Sequence, residues 1–288
     1  MSVQTSARVF FITGVSSGFG LSFAEAAMQA GHTVVGTVRN SADATEFEAL
    51  HPDRAIARIL DVTDDEAVFR TVDDVEATVG PIDVLIANAG YGHEGVLEES
   101  PMAELRAQFD VNVFGAVATI KAVLPHMRGR RRGHIFAVTS MGGLMTVPGL
   151  AYYHGSKYAL EGILETLGKE VSQFGIHVTA IAPGSFRTEW AGRSMVRTER
   201  SISEYDALMN PIRERRLSAS GNQLGDPRKA AAAVLSVLDT DDAPAHLVLG
   251  SDALRLITAG RAVVDDEIER WADLSRSTDF PDGAQLAG

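Results

Sequence analysis

The 288-residue chain contains no cysteine. Disulfides, thiolate nucleophiles and Cys-ligated zinc are therefore excluded. Tryptophan is scarce, at two residues, and basic residues are outnumbered, 26 against 38 acidic, for a net charge of −12. A nucleic-acid partner is not expected, because phosphate binding needs a basic face. The one basic run, Arg128, Arg130, Arg131 and Arg132, reads as a solvated turn. No apolar run approaches the roughly 18 residues of a membrane span. Residues Met1 to Ala7 lack the basic-then-apolar order of a signal peptide. The expectation is a cytoplasmic protein with no membrane partner. Histidine and acidic residues show no metal-ligand spacing.

What the chain does have is alternation. Short apolar runs at Arg8–Thr13, Thr33–Val38, Ala55–Leu60, Val84–Ala87, His134–Thr139, His177–Ala182 and His246–Leu249 read as strands. Most are continuously apolar, as strands covered on both faces must be. Helical stretches are predicted at Gly18–Ala30, Asp64–Val79, Met102–Met127, Tyr152–Phe174, Arg228–Leu238 and Ala253–Leu274. Strands alternating with helices predict an α/β, doubly wound fold on a seven-stranded parallel sheet. Residues 184–225 break the rhythm and read as a substrate loop, since a long irregular stretch in a compact domain is usually functional. Residues 251–288 read as a C-terminal helical extension with a loose tail.

After the first strand comes Thr13-Gly14-Val15-Ser16-Ser17-Gly18-Phe19-Gly20. Glycines here permit a tight turn and close approach to a pyrophosphate, which the following helix N-terminus attracts. An acid at the end of the second strand would bind a ribose 2′-hydroxyl and repel a 2′-phosphate. None stands there, and Arg39 does. The expectation is NADP(H) in preference to NAD(H), with Ser16 adding a hydrogen bond.

A second constellation lies later. Tyr153 and Lys157 are four residues apart and share a helix face. A free tyrosine, with a pKa of about 10, is a poor base near neutrality, but a neighbouring ammonium favours its phenolate. Ser140 ends the fifth strand, where doubly wound folds bind ligands, and can orient a carbonyl oxygen. Tyr152 falls on a different helix face. His93 and His154 are candidates to point into the site. Asn112 sits inside a helix, where its propensity is poor.

Thr13-Gly14-x-x-x-Gly18-x-Gly20, Asn88-Ala89-Gly90, Ser140 and Tyr153-x-x-x-Lys157 together resemble the short-chain dehydrogenase/reductase family, over roughly Val9 to Leu249. The resemblance implies one Rossmann-type domain, 1–288, moving hydride between nicotinamide and a carbonyl/alcohol pair. It implies catalytic roles for Asn112, Ser140, Tyr153 and Lys157, with Asn112 holding a water that connects the lysine to solvent. It places cofactor at Gly14, Ser16, Ser17, Gly18, Phe19, Gly20, Arg39, Asp61, Val62, Asn88, Ala89, Gly90, Tyr153, Lys157, Pro183, Gly184 and Thr188. Asp61 there meets the adenine amino group, although by itself it also fits a helix cap. The family pairs the helices of Asn112 and Tyr153 into homodimers or homotetramers. Leu144, Met145, Val147, Phe186, Trp190 and Met195 suggest an apolar pocket wall and a hydrophobic substrate. Two other readings stand beside this one: a non-catalytic NADP(H)-sensing regulator, and a sugar-nucleotide epimerase or dehydratase. The intact Tyr–Lys pair disfavours the first, and the glycine spacing disfavours the second.

Overall fold

The structure, a computed structural model, describes residues 7–280 except 193, 239 and 241. The ends of the expected unit 1–288, including tail residues 281–288, lie outside the described residues.

Seven parallel strands form one sheet: β1 (Val9–Thr13), β2 (Thr33–Val38), β3 (Ala55–Ile59), β4 (Ile82–Ala87), β6 (Gly133–Val138), β7 (Ile176–Pro183) and β9 (His246–Leu249). Their spatial order is β3-β2-β1-β4-β6-β7-β9. A side pair, β5 (Gly92–Glu94) and β8 (Met195–Arg197), also runs parallel. Successive strand side chains point to opposite faces, so Phe10 and Ile12 bury on one side of the sheet and Phe11 on the other. The first side is covered by α1 (Gly18–Gln29) and α8 (Pro227–Val237), the second by α3 (Asp65–Thr78), α5 (Ala116–Arg130) and α6 (Ala151–Val171). Strand order reverses between β1 and β4, which opens a crevice at the carboxyl ends of the strands.

Some elements depart from the sequence expectation. Helix α2 (Ser41–Glu48) was not anticipated, because it buries only Phe47 and so carries no apolar period. The helix over Met102–Arg130 is α4 (Met102–Phe109), a π-helical turn (Asp110–Gly115) and α5 in continuity. At 29 residues it is long and apolar enough to cross a membrane by length and composition, although charged residues interrupt its apolar run. It is a core helix, with 56% of its apolar window buried. The arginine run is not merely solvated. Arg130 pairs with Glu76 and donates to the Ile82 carbonyl at 3.0 Å, and Arg131 donates to the Gln173 carbonyl.

Residues 184–225 contain β8, short 3-10 turns and α7 (Asp206–Ala219). They form a lid tied down by buried carboxylates. Glu94, 3% exposed, has Arg216 at 3.1 Å, Arg213 at 3.5 Å and Arg197 at 3.8 Å. Glu99 takes Arg200 and the backbone N–H groups of Ser201 and Ile202. The C-terminal α9 (Ser251–Arg270) packs Ala253 and Ile257 against Met145 and is followed by α10 (Ala272–Arg276).

Candidate active site

The turn from β1 into α1 needs left-handed backbone at Gly14 (φ 74°) and Gly18 (φ 60°), which glycine adopts without strain. A Cβ on Gly20 would run into the Gly14 carbonyl and the Asn88 amide. Asn88 fastens the turn: its Nδ2 donates to the carbonyls of Thr13 (2.9 Å) and Gly14 (3.0 Å). The backbone N–H groups of Asn88 and Ala89 both donate to Thr13 Oγ1. Ser17 precedes α1 without capping it, and no acid stands in its first turn. The open N–H groups and positive helix end therefore suit an anion. Thr188 of the lid faces this turn, 3.6 Å from where a Gly18 Cβ would sit. A cradle that leaves helix N–H groups open and admits no side chain at position 20 fits a dinucleotide pyrophosphate.

Ser16 and Arg39 are exposed at this end. After Arg39, Asn40 caps α2 by accepting from the Asp43 N–H. Asp61, beyond β3, accepts from the N–H (3.0 Å) and hydroxyl (2.8 Å) of Thr63. Those bonds hold its carboxyl below the usual carboxylate range; burial opposes them, and the Arg39 charge adds a lesser lowering effect. The helix cap is Asp64, which accepts from the Ala67 N–H. Val62 is buried where Gly115 passes it too closely for a side chain, and a Cβ on Gly90 would sit a tight 3.0 Å from Asn112 Oδ1.

Tyr153 and Lys157 lie in the first two turns of α6, both buried. The Lys157 ammonium is 5.9 Å from the Tyr153 ring centroid and donates to the Val138 carbonyl at 2.8 Å. Burial pushes the tyrosine up to about 12, and the neighbouring Ser140 and Trp190 side chains act in the opposite direction. Burial brings the lysine down to about 8, opposed by Glu161. Ser140 follows β6, and its Oγ accepts from the Gly142 N–H at 3.0 Å, so its own proton stays available to donate. The arrangement presents a neutral phenol and a hydroxyl as two donors, backed by a buried amine.

The π-helical turn presents Asn112 inward. Its Nδ2 donates to the Tyr91 carbonyl (3.0 Å) and to Ser156 Oγ (3.2 Å), while its Oδ1 accepts from the Tyr91 N–H. Ser156 donates in turn to the Tyr153 carbonyl. The Asn112 side chain thus holds the segment after Gly90 against the start of α6. Pro183 ends β7, and Gly184 and Ser185 are held by β9 and α9: the Leu249 carbonyl takes the Gly184 N–H, and Asp252 takes the Ser185 N–H at 2.8 Å.

The two candidate histidines do other work. His154 Nδ1 bonds to the Gly142 carbonyl (2.7 Å) and Nε2 accepts from the Val147 N–H (3.0 Å), a pairing that fits neutral imidazole. Burial holds its pKa below the usual imidazole range. His93 pairs with Glu104 at 2.7 Å. Tyr152 turns away, donating to the Ser100 carbonyl. Of the expected pocket wall, Trp190 meets Tyr153, with ring centroids 5.2 Å apart. Phe186 instead packs on Phe19 at 5.1 Å, Met145 joins Leu144 and α9, and Met195 packs at Gly92. Val147 lines an apolar cavity of about 540 Å³ with Val96, Leu97, Tyr158, Leu208 and Met209; Tyr153 and Ser140 are not among its walls. Glu161, one turn past Lys157, is buried and bonds His246 at 2.8 Å. Its i+4 spacing from the lysine was the available signal.

Comparison with known proteins agrees with this geometry. The family model described as short chain dehydrogenase matches residues 8–198. The chain is 37% identical to "Oxidoreductase BOA17" of Botryotinia fuckeliana, over 93% of this chain and 98% of that protein. It is 32% identical to "3-ketodihydrosphingosine reductase" of Bacteroides thetaiotaomicron, over 92% and 96%. A crystal structure of a short-chain dehydrogenase from Streptomyces avermitilis superposes with a TM-score of 0.90, at 41% identity, covering 97% of this chain and 100% of that one. A structure from Burkholderia phymatum, solved with NAD, shares the fold at a TM-score of 0.75 and 23% identity, over 97% and 98%. ElxO, solved with NADP, does so at 0.70 and 24%, over 84% and 96%. The chain belongs to the short-chain dehydrogenase/reductase family and is a nicotinamide-dependent oxidoreductase.

Proposed function

We propose that the protein interconverts a hydrophobic ketone and its secondary alcohol, using NADP(H) in preference to NAD(H). The observation that carries the reading is the pairing of two ends of one crevice. Arg39 stands where no carboxylate does, and Tyr153 lies buried between Ser140 and Lys157.

The cofactor supplies or accepts hydride when bound. The remaining work belongs to the chain. Ser140 and Tyr153 donate to the carbonyl oxygen and orient it. As the substrate oxygen gains its proton, the Tyr153 O–H bond breaks and the pair of electrons stays on the phenolate. Lys157, an ammonium below a pKa of about 8, stabilises that phenolate. In oxidation the proton moves the other way. Arg39 supplies a planar donor set for a 2′-phosphate, and its closeness to Asp61 keeps both at the adenosine end.

The hydrophobic substrate is inferred from Trp190 beside Tyr153 and from the lid, and it agrees with the printed name of the Bacteroides relative. Small-molecule substrates and further copies of this chain are the proposed partners. The helices of Asn112 and Tyr153 expose Phe114 and Ile163, which suits a homodimer or homotetramer. A cytoplasmic site of action is proposed with them. The test is a panel of aliphatic and aromatic ketones assayed with NADPH and with NADH. Comparable kcat/KM with both cofactors would overturn the NADP(H) preference.

A further inference from the structure

We propose that Trp190, carried by the lid, is a positioning residue for the acid/base group: its indole N–H donates to the Tyr153 oxygen, leaving the single Ser140 proton for the substrate carbonyl. This inference rests on reading Tyr153 as the acid/base.

The observation is a buried donor without a partner. Trp190 Nε1 is shielded from solvent and has no hydrogen-bond partner among the described residues. A buried unpaired N–H is costly and calls for an explanation. The indole stands against Tyr153 at 5.2 Å and 56°, close enough for the two polar groups to interact. Catalytic hydrogen bonds are often long in free enzymes and tighten when ligands bind.

The backbone behind the indole is built to hold it. The Trp190 N–H donates to Thr188 Oγ1 at 3.3 Å. The β5–β8 pair passes behind the ring, and a Cβ on Gly92 would sit 2.9 Å from Trp190 Cε2 and 2.7 Å from Met195 Cε. Glycine at position 92 leaves room for the ring to lie where it does. The other titratable groups beside Tyr153 are Lys157 and His154, both on α6, the latter satisfied as a neutral ring. From the lid, Glu189 adjoins Trp190 and is exposed. The N–H is therefore a neutral donor that favours phenolate over phenol. Because it arrives on the lid, the acid/base reaches full strength only with the lid in place.

The test is an ultraviolet titration of phenolate with saturating NADP+. Each protein is read against its own Tyr153→Phe counterpart, so that one phenol of the five is isolated. Trp190→Phe keeps a ring and deletes the donor. Its Tyr153 midpoint is expected about one pH unit higher than wild type, a tenfold change in acidity or about 1.4 kcal/mol. Gly92→Ala keeps the donor and displaces it, and is expected to shift the midpoint in the same direction by less. An unchanged or lower midpoint in both variants would overturn the proposal. The titration uses no substrate. Failure to reduce any ketone would count against the proposed function alone, while an unchanged midpoint in an active enzyme would count against Trp190 alone.

Discussion

The two sides of the crevice are built by different means. On the cofactor side, backbone groups and short side chains at the strand ends lock each other: Asn88 on Thr13 and Gly14, Asn112 on Tyr91 and Ser156. On the lid side, long side chains bridge separate elements, with Glu94 facing three arginines and Glu99 gathering Arg200 and two backbone N–H groups. The first design rigidly places a reaction. The second hangs a replaceable wall over it, by ion pairs whose partners come from distant segments. Chemistry and specificity are thereby separable.

Substitutions on the two sides should separate in the same way. The largest effect belongs to the chemistry: Tyr153→Phe should lower kcat by about 10²–10⁴-fold with NADPH affinity, read by fluorescence titration, nearly unchanged. Next is the lid. Glu94→Ala strips a carboxylate that is 3% exposed from three partly buried arginines, a loss below the roughly 3–5 kcal/mol of a fully buried pair because solvent screens the arginine side. The lid should loosen, so that protease nicks residues 184–225 faster and KM for the ketone rises, while NADPH affinity is spared. A smaller effect is expected at the adenosine end. Arg39→Ala should reduce kcat/KM with NADPH by about 10–100-fold, the worth of a charge-assisted bond, and leave NADH almost untouched.

The smallest effect is on stability. Burial brings Lys157 to about 8 from a usual 10.5, so between those values the unfolded chain binds more protons than the folded one. Stability should rise with pH across that window, and the penalty should be fully present below it. Lys157→Met removes the buried charge but orphans the Val138 carbonyl. We expect a melting temperature a few degrees higher near pH 7, of order 1 kcal/mol, in an inactive protein. A fall in melting temperature would show that the ammonium stabilises the fold rather than burdening it.

The same division explains what could be read from sequence. The seven strands were legible because parallel strands buried on both faces are continuously apolar, and Gly14, Gly18 and Gly20 were legible because only glycine tolerates their places. Tyr153, Lys157 and Ser140 follow from spacing on one helix face and one strand end. Helix α2 carries no apolar period. The lid was opaque because its order comes from pairs such as Glu94 with Arg216, 122 residues apart. Phe186 was misplaced for a related reason: its apolar side chain suggests a pocket wall, but only the fold shows that Phe19 already occupies it.

The account's central claim is that Tyr153 exchanges the proton in an NADP(H)-linked carbonyl/alcohol reaction. The most direct measurement is NADPH oxidation across the ketone panel by wild type and Tyr153→Phe, each repeated with NADH. The account predicts turnover by wild type, at least about tenfold more efficient with NADPH, and its loss in the variant. A Tyr153→Phe protein that keeps most of the wild-type turnover would contradict it.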